Sequence, residues 1–248
     1  MPQPLPASSL TPHRARGFTL VEMAMVLLIL SLLASGLVSG LSSHMARRQE
    51  QATDAALEET RDALLGFLVR KGYFPCPARS GMDGTEDRNG SSGTCTRSRG
   101  LLPWATLGVS GLDGWDRRIH YAVHSSFSTS LSASWTALNG TASGTLSIQT
   151  RNPDGSEQSL TSTDGKAVVL FLSHGPNGLG ATDARGSTLP MPPNGSDEEQ
   201  NALSASARIY SRSLSLNPDT PGGAFDDRVS WISPNLIALR LIQAGKEP

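Results

Sequence analysis

Several oxygen-bearing side chains could bind a metal ion in the stretch after the first cysteine. They are Asp83, Glu86, Asp87 and Asn89. Oxygen donors of this kind bind calcium, so a calcium-binding loop is one hypothesis. Their spacing does not match that of an EF-hand, however, and acidic loops are commonly only solvated. The acidic pair Asp226-Asp227 raises the same two alternatives.

Two patterns of histidine and serine could indicate transition-metal binding or catalysis. His120 and His124 are four residues apart, which would suit a metal site on a helix. The alternating sequence around them predicts a strand, on which the two side chains stand about 13 Å apart. Ser173 and His174 are adjacent at the end of another predicted strand, where neighbouring side chains diverge. No hydrolase, metalloprotease or nucleotide-binding motif occurs, so we expect no enzymatic activity, no cofactor and no metal.

The chain has two cysteines, Cys76 and Cys95, in a stretch rich in Gly, Ser and Asp. A zinc site would need further Cys or His residues close in sequence, and there are none. If this part of the chain is exported, a disulfide is expected, with free thiols as the alternative. Closing a loop of this size contributes about 3 kcal/mol in the chain-entropy model.

Composition favours a turn-rich β component. The 248 residues include 25 Gly and 16 Pro, and only 5% are aromatic. The formal net charge is −1, which argues against a nucleic-acid partner bound through net charge. The length suits one medium-sized domain or two small ones.

A long helix must position the N-terminal residues. Residues 18–41 form an apolar run long enough to span a bilayer, and Glu22 carries the only charged side chain in it. A carboxylate in hydrocarbon costs about 3 kcal/mol, so Glu22 needs an explanation. Basic residues before Phe18 favour a cytoplasmic N-terminus.

The helical pattern continues beyond the apolar run. No proline occurs between Phe18 and Phe74, and Gly72 and Pro75 predict an end near Arg70. This second half is amphipathic and needs a globular partner. Its apolar stripe consists of Leu57, Leu64, Leu65 and Leu68.

The N-terminal stretch resembles the prepilin signal of type IV pilins and type II secretion pseudopilins. Gly17 ends a basic leader, Phe18-Thr19-Leu20 follows, and Glu22 is the acid at the fifth position of the mature chain. The resemblance implies cleavage after Gly17 by a prepilin peptidase, N-methylation of Phe18 and a role for Glu22 in subunit assembly. The alternative is an ordinary signal-anchored membrane protein whose Glu22 reaches the interface.

A second, independent resemblance lies downstream. Asp113-Gly114-Trp115-Asp116 is similar to the Asp-x-Trp-Gly turn of pseudopilin-like globular domains. The sequence departs from that pattern at Asp116, where glycine would be usual.

Alternating and apolar runs predict an antiparallel sheet after the helix. Ser233 and Pro234 predict the start of a terminal helix that runs to about Gln243. Strands are expected at residues 118–124, 144–150, 166–173 and 228–232, with a fifth around Ile209.

Together these features predict an α+β fold, a pilin-like lollipop in which a long N-terminal α-helix packs on an antiparallel β-sheet. The resemblance implies a minor pilin or pseudopilin, a structural subunit that assembles a type IV pilus or type II secretion pseudopilus. The expected parts are a cleaved leader (1–17), a transmembrane or filament-core half-helix (18–41), an amphipathic half-helix (42–71) and a periplasmic β-rich domain (72–248).

The resemblance also implies where the protein acts and with what. Its partners would be other pilins or pseudopilins through their N-terminal helices, the prepilin peptidase and an inner-membrane assembly platform. It would first be a single-pass inner-membrane protein and then part of a pilus or pseudopilus. The alternative is a pilus-borne binding module, an adhesin or DNA-uptake pilin that uses the loop 76–100 and its arginines.

Overall fold

The computed structural model describes residues 17–130, 132, 136, 138, 146–161, 167–203 and 208–246, without the side chains of residues 34–42. The predicted leader therefore lies outside the described residues, except for Gly17. The chain divides into two compact units, Met1–Arg47 and Arg48–Pro248, which are described separately.

The N-terminal helix α1 covers Leu20–Lys71. The helix ends next to Gly72, close to the predicted position. Gly72 adopts a left-handed conformation with φ of 81°, which a side chain would disfavour. The Gly72 amide donates to the Leu68 carbonyl at 2.6 Å. The fold is thus α+β with an N-terminal helix and antiparallel sheets, which is compatible with a pilin-like fold. The lollipop arrangement remains a prediction.

Short strands and helices make up the rest of the described chain. The strands are β1 (Arg99–Leu101), β2 (Arg117–Arg118), β3 (His120–Val123), β4 (Ser147–Arg151), β5 (Glu157–Ser159), β6 (Val169–Ser173), β7 (Thr182–Asp183), β8 (Arg208–Tyr210) and β9 (Arg228–Ile232). The helices are α2 (Trp104–Leu107), α3 (Asp197–Ala202) and α4 (Pro234–Gln243), with a 3₁₀ turn at Ser125–Phe127.

β9 has the predicted bounds, and β8 lies at the fifth predicted position. The strand predicted at 118–124 is divided: Arg118 ends β2, which pairs with β7, whereas β3 covers His120–Val123 in the main sheet. Parts of the predicted strands at 144–150 and 166–173 lie outside the described residues. The main sheet has the order β1-β3-β6-β9, and all its neighbours are antiparallel, as predicted. A second sheet, β5-β4-β8, pairs β4 with β8 in parallel, so the prediction of a purely antiparallel sheet is wrong there.

The leucine stripe of α1 packs on one face of the main sheet. Leu64 and Leu68 are fully buried in one cluster with Tyr121, Phe171 and other apolar side chains. The opposite face of β3 and β6 packs on the second sheet through Ala122, Ile148, Leu170, Leu172 and Ile209. Because both its faces are covered, β6 is buried throughout, and its sequence is apolar from Val169 to Leu172.

Helix α4 begins and ends as predicted. The Ser233 hydroxyl accepts from the Leu236 amide at 3.4 Å, and Pro234 occupies the first turn. Ile237 and Leu241 are fully buried in the cluster that contains the leucine stripe.

The turn at residues 113–116 docks against α1. The Gly114 amide donates to the Thr53 hydroxyl at 3.0 Å, and the Asp113 carboxylate accepts from the amides of Trp115 and Arg117. Asp116 has a φ of 60°, so it adopts the left-handed conformation that glycine would adopt more easily. The departure from the Asp-x-Trp-Gly pattern therefore lies at a position where the backbone favours glycine.

Replacing Gly114 tests how tightly this turn docks. A Cβ at this position would overlap the backbone of Gln49, so Gly114→Ala must shift the turn away from Thr53. We expect it to lower the free energy of unfolding by about 2 kcal/mol. Urea denaturation of the full-length chain measures this loss.

Gly90→Ala is the matched control, because no atom lies near its added Cβ and its turn is exposed. Its effect should stay within about 0.5 kcal/mol. Equal losses in both variants would show that Gly114 does not need close contact with the helix.

Candidate functional site

The prepilin-like residues lie at the start of α1. Gly17, Phe18 and Thr19 precede the helix and are exposed. The Glu22 amide donates to the Thr19 hydroxyl at 3.2 Å, and the Thr19 amide donates to the Glu22 carboxylate at 3.4 Å. This reciprocal pair is a capping box, in which two otherwise unsatisfied amides of the first turn gain partners.

Glu22 also lies where the helix dipole favours a negative charge. Its carboxylate is exposed, and its hydrogen bonds with Thr19 are local to the first turn. The group can therefore exchange the capping bond for a stronger partner without unfolding the helix.

The helix after Glu22 is apolar around its whole circumference. Large apolar side chains from Met23 to Leu33 are exposed, among them Leu27 at 62% and Leu32 at 67%. An apolar surface of this extent indicates a partner, since it covers more than the core-facing stripe of a soluble helix.

Within the described residues, no helix meets the length and hydropathy needed to cross a bilayer. The predicted span at 18–41 includes positions 34–41, whose side chains lie outside that description.

The predicted disulfide joins Cys76 to Cys95. The loop that it closes is organised around Arg88, whose guanidinium donates to the Gly93 and Ser128 carbonyls at 2.6 Å each. It also pairs with Glu86 at 2.9 Å and lies 4.5 Å from the Tyr73 ring centroid. Arg88 is thus a structural centre of the loop.

The other loop arginines also have partners in the chain. Arg97 pairs with Asp87 at 3.2 Å, and Arg79 lies 3.9 Å from Asp83. Arg99 donates to the Asn201 carbonyl, and burial lowers its pKa to about 10. These contacts reduce the positive charge that the loop could offer to nucleic acid.

The four oxygen donors of this loop have local roles. Glu86 and Asp87 pair with arginines, while Asp83 accepts from the Thr85 amide and hydroxyl, which lowers the pKa of Asp83. Asn89 accepts from the amides of Ser91 and Ser92. In the part of the chain that the structure describes, these donors form no common ligand set.

A buried polar network lies at the end of β6. The Ser173 hydroxyl donates to Asp113 at 2.5 Å, whereas the adjacent His174 contacts Asp227 at 3.3 Å and His120 at 3.1 Å. Ser173 and His174 thus have separate partners, as their alternation on a strand predicts. The arrangement offers no nucleophile–base pair between them.

Burial keeps both histidines neutral. It lowers the pKa of His174 to about 3, with a further contribution from the Arg99 charge. Burial and the neighbouring His174 also hold the pKa of His120 well below its usual value. A neutral pair at 3.1 Å requires that one ring donates to the other.

Three buried carboxylates extend this network, and we call them the carboxylate cluster: Glu198, Asp226 and Asp227. Glu198 comes from α3, while the two aspartates precede β9. Desolvation raises the pKa of Glu198, of Asp226 to about 7 and of Asp227 to about 8. Asn177 and Asn201 donate hydrogen bonds to the cluster.

Sequence reasoning identified Asp226-Asp227 but missed Glu198. That residue lies in the acidic run Asp197-Glu198-Glu199, which follows Ser196 and reads as an ordinary capped helix start. The burial of Glu198 and its proximity to Asp226 depend on how α3 packs, which no local pattern reveals.

Comparison with known proteins identifies the N-terminal segment. Residues 12–38 match the family model of the prokaryotic N-terminal methylation motif, the prepilin-type signal of type IV pilins and pseudopilins. Comparison with curated proteins and with solved structures gives no match.

Replacing Arg88 tests whether the loop arginines are structural. Arg88→Met removes the donor to the Gly93 and Ser128 carbonyls and the cation beside Glu86, which keeps only its bond from the Cys76 amide, so the free energy of unfolding should fall by about 3 kcal/mol. Arg79→Met removes an exposed pair and should change it by less than about 0.5 kcal/mol.

Chemical denaturation of the two full-length variants measures both values. If Arg88→Met and Arg79→Met both lower the free energy of unfolding by a similar, small amount, the structural role of Arg88 is contradicted. Such an outcome would also leave Arg88 free to act in a binding surface.

Proposed function

We propose, from the prepilin-type signal that this chain carries, that it is a minor pilin or pseudopilin. In this role it is a structural subunit for assembly of a type IV pilus or a type II secretion pseudopilus. The observation that carries the proposal is the methylation motif at residues 12–38, which includes Gly17, Phe18 and Glu22. A subunit with this role requires processing, membrane insertion and packing between N-terminal helices.

The junction at Gly17-Phe18 has the geometry that processing needs. It precedes the helix, and both residues are exposed, so a prepilin peptidase can reach the backbone there. Cleavage would leave Phe18 as the new N-terminus, and this residue would then be N-methylated. The capping box defines the first helical turn directly after the junction.

Glu22 would change partners when the subunit assembles. Before assembly its carboxylate caps the helix through Thr19. Cleavage creates a cationic amine on Phe18, and a neighbouring subunit can present that amine to Glu22 in an apolar surrounding. An ion pair there is stronger than in water because the local dielectric is low.

The two halves of α1 would then have different tasks. The apolar half at 18–41 would anchor the subunit in the inner membrane, and later pack among the helices of other subunits. The amphipathic half at 42–71 carries the leucine stripe, and the domain at 72–248 would lie in the periplasm before assembly. The exposed apolar residues between Leu20 and Leu33 support this division.

The binding-module alternative has less support. Arg79, Arg88, Arg97 and Arg99 interact with acids or carbonyls of the same chain. A DNA-uptake pilin would instead present several free cations to phosphate groups.

Two substitutions at Glu22 separate capping from charge pairing. Glutamine can still cap the helix but carries no charge, so Glu22→Gln should keep the capping box and lose the ion pair. Glu22→Ala loses both. We expect both variants to insert into the membrane normally and to reduce filament or secretion output at least tenfold in the native host.

Glu59→Ala is the control, because it removes an exposed acid from the same helix. Immunoblots of membrane fractions measure membrane insertion. Counts of sheared filaments, or the amount of secreted protein, measure assembly output. Normal output with Glu22→Gln would show that only capping matters, and normal output with Glu22→Ala would refute the assembly role of this residue.

A further inference from the structure

The outer edge of β9 has backbone groups that point away from the main sheet. β9 is the last strand of that sheet, and its neighbour among the described strands is β6. The His124 amide donates to the Val168 carbonyl at 2.8 Å, which sets the alternation along β6: its even-numbered residues bond to β3 and its odd-numbered residues to β9. The β9 partners of those odd-numbered residues are Arg228, Ser230 and Ile232. The amides and carbonyls of Val229 and Trp231 therefore point outward.

These outward groups are available for pairing. Among the described residues, none forms a backbone hydrogen bond with Val229 or Trp231 at the outer edge. Each of the two residues offers one donor and one acceptor, so the edge presents two of each. Both residues are only half-buried, and their side chains pack beside the second sheet. An edge of this kind is a template for a further strand.

Other strand edges of the domain are protected. At the opposite edge of the main sheet, the Ala78 amide donates to the Leu101 carbonyl of β1 at 2.8 Å, so the disulfide-closed loop covers that edge. At the edge of the second sheet, β5 is exposed and polar throughout. β9 contains no proline, and its charged residue, Arg228, is bound to Asp54 of α1 at 2.9 Å. The usual protection by proline or by a free charge is thus missing from β9.

A hollow of about 330 Å³ lies along this edge. Its lining residues are Arg61, Val229, Ser230, Trp231, Ser233 and Leu236. The Arg61 guanidinium donates to the Ser230 hydroxyl at 2.8 Å, so the Ser230 side chain faces α1. On an added strand, the residue opposite Ser230 would face the same way, with the two Cβ atoms about 5 Å apart. That residue would therefore lie near the Arg61 guanidinium.

Arg61 favours an acidic side chain at this position. Its own side chain is 33% exposed, and its ion pair in the chain is with Glu58, which is 64% exposed and lies 3.2 Å away on the same helix. An exposed pair of this kind contributes little. The Arg61 Nε atom is buried and has no hydrogen-bond partner among the described residues. A carboxylate on an added strand would give Arg61 a partner in a less solvated place.

We propose that the outer edge of β9 binds an extended segment of a different protein by strand addition, and that this segment carries an acidic side chain between two apolar ones. The acid lies opposite Ser230 and near Arg61. The apolar side chains lie opposite Val229 and Trp231, where aromatic and β-branched pairs are stabilising. This inference goes beyond the filament role and does not rest on it.

A second copy of this chain fits the edge less well. Two β9 strands can pair through the same edge only about a twofold axis, and the register that uses both outward residues of each strand places that axis at Ser230. Two Arg61 guanidinium groups would then approach each other. Like charges at directly opposed positions are destabilising, so the occupant is a different chain.

Site-specific photocrosslinking in the native host tests the proposal. The full-length chain carries p-benzoylphenylalanine in place of Trp231 and is irradiated in intact cells. We expect a discrete adduct with another protein. Mass spectrometry of the adduct should place the crosslink in a segment that has an acidic residue with apolar residues on both sides.

Two substitutions in the crosslinking chain test the contacts themselves. Val229→Pro removes an outward amide but no donor to β6, so it should lower the adduct yield at least fivefold. Arg61→Gln keeps a donor for Ser230 but removes the charge, and the yield should again fall at least fivefold. Arg79→Gln, at an exposed arginine of the disulfide-closed loop, is the control and should leave the yield unchanged.

The Tm of each purified variant shows whether it folds, and a change below about 5 °C is expected. If Val229→Pro does not fold, Arg61→Gln alone decides the role of the edge. The absence of an adduct, or an adduct only between copies of this chain, would overturn the proposal. It would also be overturned if a folded Val229→Pro or Arg61→Gln variant gave an unchanged yield, or if the crosslinked segment contained no acid.

Discussion

Packing of the leucine stripe of α1 on the main sheet is the interaction on which the unit from Arg48 onward depends. Leu64 and Leu68 are fully buried against Tyr121 and Phe171. At about 2 kcal/mol for each fully buried leucine, the stripe supplies a large share of the net stability that a domain of this size normally has. The terminal helix α4 packs in the same cluster through Ile237 and Leu241, so it relies on this contact for its position.

The carboxylates at the start of α1 and in the carboxylate cluster lie in different environments. Glu22 stays exposed and forms a local capping box, which makes it available for a new partner. Glu198, Asp226 and Asp227 are buried and converge, so desolvation disfavours their charged forms and raises their pKa values. The protonation and contacts of each acid follow from its surroundings: capping amides and the helix dipole favour a charged Glu22, whereas burial favours the neutral form of the other three.

The sequence predicted those features that depend on local patterns. The leucine period placed the buried face of α1, and Ser233-Pro234 placed the start of α4. The spacing of Gly17, Phe18 and Glu22 predicted the methylation motif. Features that depend on tertiary packing could not be predicted: β4 and β8 pair in parallel across a long separation, and Glu198 reaches Asp226 only because α3 folds back. The very short strands β2 and β7 contain too few residues for any period to show.

The central claim is that this chain is processed as a prepilin. Mass spectrometry of the intact chain, purified from membranes of its native host, tests this claim most directly. The account predicts an N-terminus at Phe18 that carries one methyl group. A chain that retains its leader from Met1, or that begins at another residue, would contradict it.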